Sequence, residues 1–131
     1  MTIFSSAAQS YLDALKPFDK DRLGPILDLF EKSGPDTSIA YYHPNILYLS
    51  VKGKLALGLS PRKNYISFYV SSYESNDIFQ EASQGLGVSS SGTGCYRFNK
   101  LSNINMDALA EVFKRIYASD HNDGGVLIPL Q

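Results

Sequence analysis

The chain has 131 residues, of which 44% are hydrophobic and 19% are charged, with a net charge of −1 and one cysteine. This length suits one domain that folds without crosslinks, which excludes disulfide-scaffold, collagenous and disordered proteins. Because the net charge is close to zero, the protein has no broad electrostatic field that would attract nucleic acid. The lack of a leader-like start and of a ~20-residue apolar run predicts a cytoplasmic protein without a membrane segment.

Two helices are predicted near the start of the chain, because apolar residues recur there at helical spacing. The first covers about residues 5–15, with Ser5 or Ser6 as its N-cap and Pro17 ending it. The second covers about residues 20–33, with Asp19 as its N-cap and Gly34 following it.

The middle of the chain changes to a period of two, which is typical of strands. Turn residues separate the extended segments, so consecutive strands are expected to pair as an antiparallel meander. The predicted strands are residues 37–42, 46–51, 54–60 and 65–71, with turns at 43–45, 52–53 and 61–64.

Three more elements are predicted after the meander. A short helix capped by Asn76 or Asp77 is followed by a loop or edge strand at 89–94, a strand at 95–98 and a final helix from Asn105 to about residue 118. The fold class is therefore α+β, a two-layer sandwich with helices on one face of a mostly antiparallel sheet of about five strands. Residues 1–119 form the domain, and residues 120–131 form a tail that is first polar and then apolar. The apolar end of this tail needs a groove in which to pack, either on this subunit or on a neighbour.

Strand alternation divides the sheet residues between two faces. The apolar sets Leu55, Leu57 and Leu59, and Ile66, Phe68 and Val70, are expected to face the helices. Tyrosines and small residues are expected on the opposite face: Tyr48, Ala56, Gly58, Tyr65, Ser67, Tyr69, Cys95 and Arg97. Such a surface is either a binding face or a half-covered interface, for instance in a homodimer.

The order and spacing of several segments resemble the small bacterial YdhG-like proteins, a family of unknown function. The segments are Tyr11-Leu12-Asp13-Ala14-Leu15, Tyr41 with Pro44, Gly53-Lys54 before residues 55–59, the runs 62–69 and 92–98, and Leu101. The resemblance implies a cytoplasmic protein with a frataxin-like fold and no established catalytic activity. The family usually has Gly-Met where this chain has the bulkier pair Tyr42-His43.

Some members of that family are labelled iron chaperones, and iron delivery of this kind depends on crowded carboxylates, because hard iron ions prefer oxygen ligands. The early carboxylates here are interspersed with lysines and arginines, which is typical of a solvated helix face. They are Asp13, Asp19, Asp21, Asp28 and Glu31. Iron binding is therefore the alternative function rather than the leading one.

The leading hypothesis is a non-enzymatic binding module whose tyrosine-rich face takes a small anionic ligand or a protein partner. Arg97 either binds a carboxylate or phosphate or stacks on a tyrosine, and it is expected to favour a thiolate at Cys95. A Cys95-dependent enzyme with His43 as its base ranks third. The candidate ligand-binding residues are Tyr42, His43, Tyr48, Tyr65, Tyr69, Cys95 and Arg97. No catalytic residue, metal ligand or cofactor is predicted.

Overall fold

A computed structural model describes residues 2–70, 73–92 and 94–119, without the side chains of residues 73 and 74. The predicted tail at 120–131 lies outside these residues. Their elements are β1 Thr2–Phe4, α1 Ser6–Ala14, α2 Pro17–Glu31, β2 Thr37–Tyr42, β3 Ile46–Val51, β4 Lys54–Pro61, β5 Ile66–Val70, α3 Tyr73–Leu86, β6 Ser90–Gly92, β7 Cys95–Phe98, a 3-10 helix Leu101–Asn103, and α4 Met106–Ala118. No helix in these ranges is long and apolar enough to cross a membrane.

The α+β class is confirmed, but the sheet is larger than predicted. It has seven strands in the order β1-β2-β3-β4-β5-β7-β6. Only β1 and β2 pair in parallel, and the other neighbours are antiparallel. The two strands beyond the five, β1 and β6, have three residues each, and β6 lies within the segment 89–94 that was predicted as a loop or edge strand. Three residues are too few to display a periodic pattern, so alternation could not identify them.

The helices pack on one face of this sheet, and Phe68 of β5 lies at the centre of the contact. Its ring centroid is 5.7 Å from that of Phe79 in α3, 5.5 Å from Phe98 in β7 and 6.5 Å from Phe113 in α4. Edge-on and tilted arrangements of this kind are favourable for aromatic rings. Five residues predicted to face the helices are confirmed in the core: Leu57, Leu59, Ile66, Phe68 and Val70.

A β-bulge changes the faces of two residues in β4. The register shifts between Leu49 and Ser50, so that Leu57 pairs with Leu49 but Leu55 pairs with Ser50. Ala56 is the extra residue, and it is fully buried in the core. The predictions that Leu55 faces the helices and that Ala56 lies on the opposite face are therefore wrong, because a bulge breaks the strict period of two.

The predicted start of α2 is wrong, whereas α1 ends at Ala14, within one residue of the prediction. Pro17 does not end α1 but begins α2, where its missing N–H costs nothing and its fixed φ suits the first turn. The side chain that was predicted to cap α2, Asp19, lies inside the helix instead. Ser5 caps α1 and Asn105 caps α4, as predicted, since each side chain accepts a hydrogen bond from the amide three residues later.

Candidate functional site

The sheet face opposite the helices carries a cross-strand row of alternating large and small residues. Backbone pairing aligns Tyr48 with Gly58, Gly58 with Tyr69, and Tyr69 with Cys95. Adjacent strands lie about 4.8 Å apart, so Gly58 separates the two tyrosines by about twice that distance. We call this surface, with Tyr42, Tyr65, Ser67 and Arg97, the tyrosine face.

Tyr42 and Tyr48 form one side of the tyrosine face. Their rings are stacked with centroids 5.0 Å apart and an interplanar angle of 6°. Tyr42 is half exposed. Burial, and secondarily the neighbouring Tyr42 phenol, raise the pKa of Tyr48 above its ordinary value. The Tyr48 hydroxyl therefore remains a protonated hydrogen-bond donor at neutral pH.

Arg97 lies on the other side of the face, on β7, directly opposite Ser67 of β5. Its guanidinium carbon is 5.6 Å from the centroid of the Tyr65 ring, which is within the range of a cation–π contact. This contact is one of the two roles predicted for Arg97. It uses the plane of the guanidinium and leaves the N–H edge for a further acceptor.

Arg62 is a member of this face that the sequence analysis missed. Its Nη2 donates a hydrogen bond to the Tyr69 hydroxyl at 3.2 Å, and this bond raises the pKa of Arg62 above its ordinary value. Its Nε is buried and has no hydrogen-bond partner. A signal was present in the sequence, because Gly58, Ser60 and Arg62 continue one alternation, but residues 61–64 were interpreted only as a turn.

Ser60 and Ser67 lie directly opposite each other beneath these long side chains. Both are fully buried. Ser60 Oγ donates to the carbonyl oxygen of Asn45 at 2.6 Å, whereas Ser67 Oγ has no partner. A buried hydroxyl without a partner is uncommon and costs free energy. Ser67 Oγ and Arg62 Nε are thus two unsatisfied polar groups on one face.

The protonation of the Cys95 thiol differs from the expectation. The side chain is buried, and burial raises the pKa of its thiol above the ordinary value, although Arg97 and Arg62 act in the opposite direction. Arg97 favours the thiolate, as expected, but desolvation outweighs the two positive charges, so the net change in the pKa favours the thiol. Cys95 remains a thiol at neutral pH and is a poor nucleophile.

His43 lies in the predicted turn between β2 and β3, next to Tyr42. It is exposed, and its side chain makes no hydrogen bond, ion pair or ring contact with another residue in the described ranges. The structure does not pair His43 with Cys95. Of the predicted site residues, the structure thus brings Tyr65, Tyr69, Cys95 and Arg97 together around Ser67, with the Tyr42–Tyr48 pair beside them.

The charged groups that the described residues place on the tyrosine face, Arg62 and Arg97, are both positive. The ion pairs among the described residues join Arg22 to Asp19, Lys114 to Glu111 and Arg115 to Glu81, and none of them includes Arg62 or Arg97. The described ranges also contain no group of three or more His, Cys, Asp or Glu that could hold a metal ion. Two guanidinium groups, phenolic hydroxyls and a spare serine hydroxyl are donors suited to an oxyanion.

Comparison with known proteins found no matching family model, curated protein or solved structure, so the YdhG-like and frataxin-like resemblance stays a prediction from the sequence.

Proposed function

We propose that this protein is a binding module that holds a small oxyanion, such as a phosphate or carboxylate group, on its tyrosine face between Arg62 and Arg97. The observation that carries the proposal is the unsatisfied polar chemistry of this face. Arg62 Nε and Ser67 Oγ are buried without partners, and neither arginine has an ion-pair partner among the described residues.

An anion between Arg62 and Arg97 would offset two unfavourable contributions to the free energy of the folded protein. Like charges on one face repel each other, and the repulsion is stronger near buried groups, where water screens less. A buried hydroxyl without a partner adds its own desolvation cost. One phosphate or carboxylate accepts hydrogen bonds from several donors and so relieves both.

The tyrosines would set the size and orientation of the ligand. Gly58 adds no side chain to the row between Tyr48 and Tyr69, so this part of the surface has a small floor and two aromatic walls. Aromatic walls with a few placed polar groups are typical of small-molecule sites. This composition favours a small ligand over a protein partner or a second copy of the chain, which would need a wider apolar patch.

Iron binding in the manner implied by the frataxin-like resemblance is not favoured by a specific contact in the structure. Asp19 is in an ion pair with Arg22, and the described ranges hold no metal-ligating cluster. We retain the cytoplasm as the proposed compartment, because a lone buried cysteine is suited to a reducing environment.

The proposal is tested by thermal unfolding in phosphate, pyrophosphate and citrate, each compared with sodium chloride at equal ionic strength. A ligand present at about one hundred times its Kd stabilises the folded state by about 2.7 kcal/mol, which raises Tm by several degrees. We expect at least one of these anions to raise Tm, and Arg97→Gln to abolish the increase.

Arg115→Gln is the matched control, because Arg115 is an exposed arginine on α4 that pairs with Glu81. It should lose none of the anion effect. Equal stabilisation of the wild type and Arg97→Gln, or no stabilisation by any of the three anions, would contradict the proposal.

A further inference from the structure

A second candidate site lies at the end of the sheet where β5 begins and β7 ends. The pairing of Ile66 with Phe98 puts the residues before β5 beside those after β7. The first turn of α2 covers the same end and contributes Phe18. Together they enclose a cleft of about 410 Å³, a volume within the range of small-molecule sites.

The cleft combines cations with an exposed aromatic ring. Its lining includes the cations Lys63, Lys100 and Arg22. Asn64 and Asn99 add amide groups, and none of the described lining residues is acidic. The side chain of Phe18 is 63% exposed, which is unusual for a phenylalanine.

Arg22 supplies an independent indication of a ligand. It is only 6% exposed, and a guanidinium so deeply buried is normally fully hydrogen-bonded. It forms an ion pair with Asp19 and donates from Nη1 to the Tyr65 carbonyl at 3.2 Å, but its Nε has no partner. Its guanidinium also lies 4.4 Å from the centroid of the Phe18 ring.

The contact with Arg22 uses one face of the Phe18 ring and leaves the other for a second planar group. An aromatic ligand stacked there would bury ring surface that is now in water. The positive lysines that line the cleft would then meet a negative group on that ligand. A phosphate fits better than a carboxylate, because it carries up to two charges and offers three acceptor oxygens to the lysine and asparagine donors.

We propose that this cleft binds a small molecule that carries an aromatic ring and a phosphate group, with the ring on Phe18 and the phosphate between Lys63 and Lys100. This site adjoins the tyrosine face, because Lys63 lines both this cleft and a neighbouring pocket that Arg62 also lines. Tyr65 links the two, because its carbonyl accepts from Arg22 while its ring contacts Arg97.

Phenyl phosphate is the probe, and amide chemical shifts in two-dimensional NMR of the full chain are the readout. We expect saturable shifts at Phe18, at residues 63–64 and at residues 99–102. Inorganic phosphate alone and phenol alone should each bind at least about tenfold more weakly, because each keeps only one of the two interactions.

Two variants separate the ring contact from the charge contact. Phe18→Ala should weaken phenyl phosphate binding by about three- to tenfold, the value of one aromatic contact. The double variant Lys63→Ser, Lys100→Ser should weaken it by about tenfold at low salt. The double variant Lys32→Ser, Lys114→Ser is the matched control, since it removes two exposed lysines at another site and should leave the affinity unchanged.

All four substituted lysines are exposed, so the double variants should keep the wild-type Tm. Phe18→Ala also loses the contact with Arg22, so its affinity is measured at a temperature well below its own Tm. Three results would overturn the inference: no saturable shifts near Phe18, equal affinity in the wild type and both test variants, or shifts confined to Ser67, Tyr69 and Arg97. The last result would place the probe on the tyrosine face and would support the proposed function alone.

Discussion

At the scale of single residues, Ser60 and Ser67 form a natural comparison. They are the same residue type, they lie opposite each other on β4 and β5, and both are fully buried. They differ only in partner, because Ser60 Oγ donates to the Asn45 carbonyl and Ser67 Oγ has no acceptor. The Ser60 hydroxyl therefore contributes to the stability of the fold, whereas the Ser67 hydroxyl is the one that we propose donates to a bound anion.

Ser60→Ala should therefore lower the free energy of unfolding by about 1 kcal/mol, the net value of a hydrogen bond. Ser67→Ala should leave it unchanged or raise it slightly, since no bond is lost and a buried polar group is removed. Urea unfolding of both variants measures the difference. A comparable loss of stability in Ser67→Ala would mean that its hydroxyl has a partner in the unliganded protein.

Tyr11 gives a second prediction at this scale. Burial, reinforced by Tyr41 and Asp19, raises its pKa from the ordinary value of 10.0 to about 12, against the weaker opposing effects of Arg62 and Arg22. Between these pH values the unfolded chain releases the phenolic proton while the folded chain keeps it. The free energy of unfolding therefore falls as pH rises from 10 to 12.

Tyr11→Phe keeps the ring that stacks on Tyr41 but has no titrating proton. It also loses the hydrogen bond to Asn45, which lowers its stability at every pH. The informative quantity is thus the slope, which should be shallower in Tyr11→Phe than in the wild type between pH 10 and 12. Parallel slopes in urea unfolding at several pH values would show that Tyr11 does not titrate as described.

At the scale of elements, Gly87 fixes the approach of α3 to the 3-10 helix. Its φ is +91°, and a Cβ atom there would lie 2.1 Å from the backbone oxygen of Asn103. The neighbouring Leu86 carbonyl accepts from the amide of Asn105, the N-cap of α4. One residue without a side chain thus lets the end of α3 and the start of α4 meet.

Gly87→Ala should destabilise the protein by roughly 3 kcal/mol, because it adds left-handed strain to a clash with backbone that cannot rotate away. Gly85→Ala is the matched control two residues earlier. It lies within α3, and nothing is within 4 Å of its Cβ position, so it should be neutral or stabilising by up to about 1 kcal/mol. Similar unfolding midpoints for the two variants would contradict this account.

The elements also show which sequence signals were sufficient to predict the strands. The strands β2 to β5 and β7 were predictable because alternation and turn residues agree over four or more residues. The bulge that buries Ala56 was not, since it depends on pairing between β3 and β4 rather than on either strand alone. Arg62 was missed for a similar reason: its contact with Tyr69 crosses between strands.

At the scale of the whole molecule, a net charge of −1 conceals a separation of charge. Arg62 and Arg97 lie on the tyrosine face, and Lys63 and Lys100 lie at the adjoining end of the sheet. A different groove between α1 and α2 is lined by three carboxylates and one lysine, namely Asp13, Asp28, Glu31 and Lys20. Total charge therefore excludes a broad field around the protein but does not exclude two local sites for anions.

The most direct test of the tyrosine face is a crystal structure determined with tungstate, an oxyanion that is located by its anomalous scattering. The account predicts an anomalous peak between the guanidinium groups of Arg62 and Arg97, within reach of Ser67 Oγ, and no peak there in Arg97→Gln. Tungstate that leaves this position empty in the wild type, or that occupies it equally in Arg97→Gln, would contradict the account.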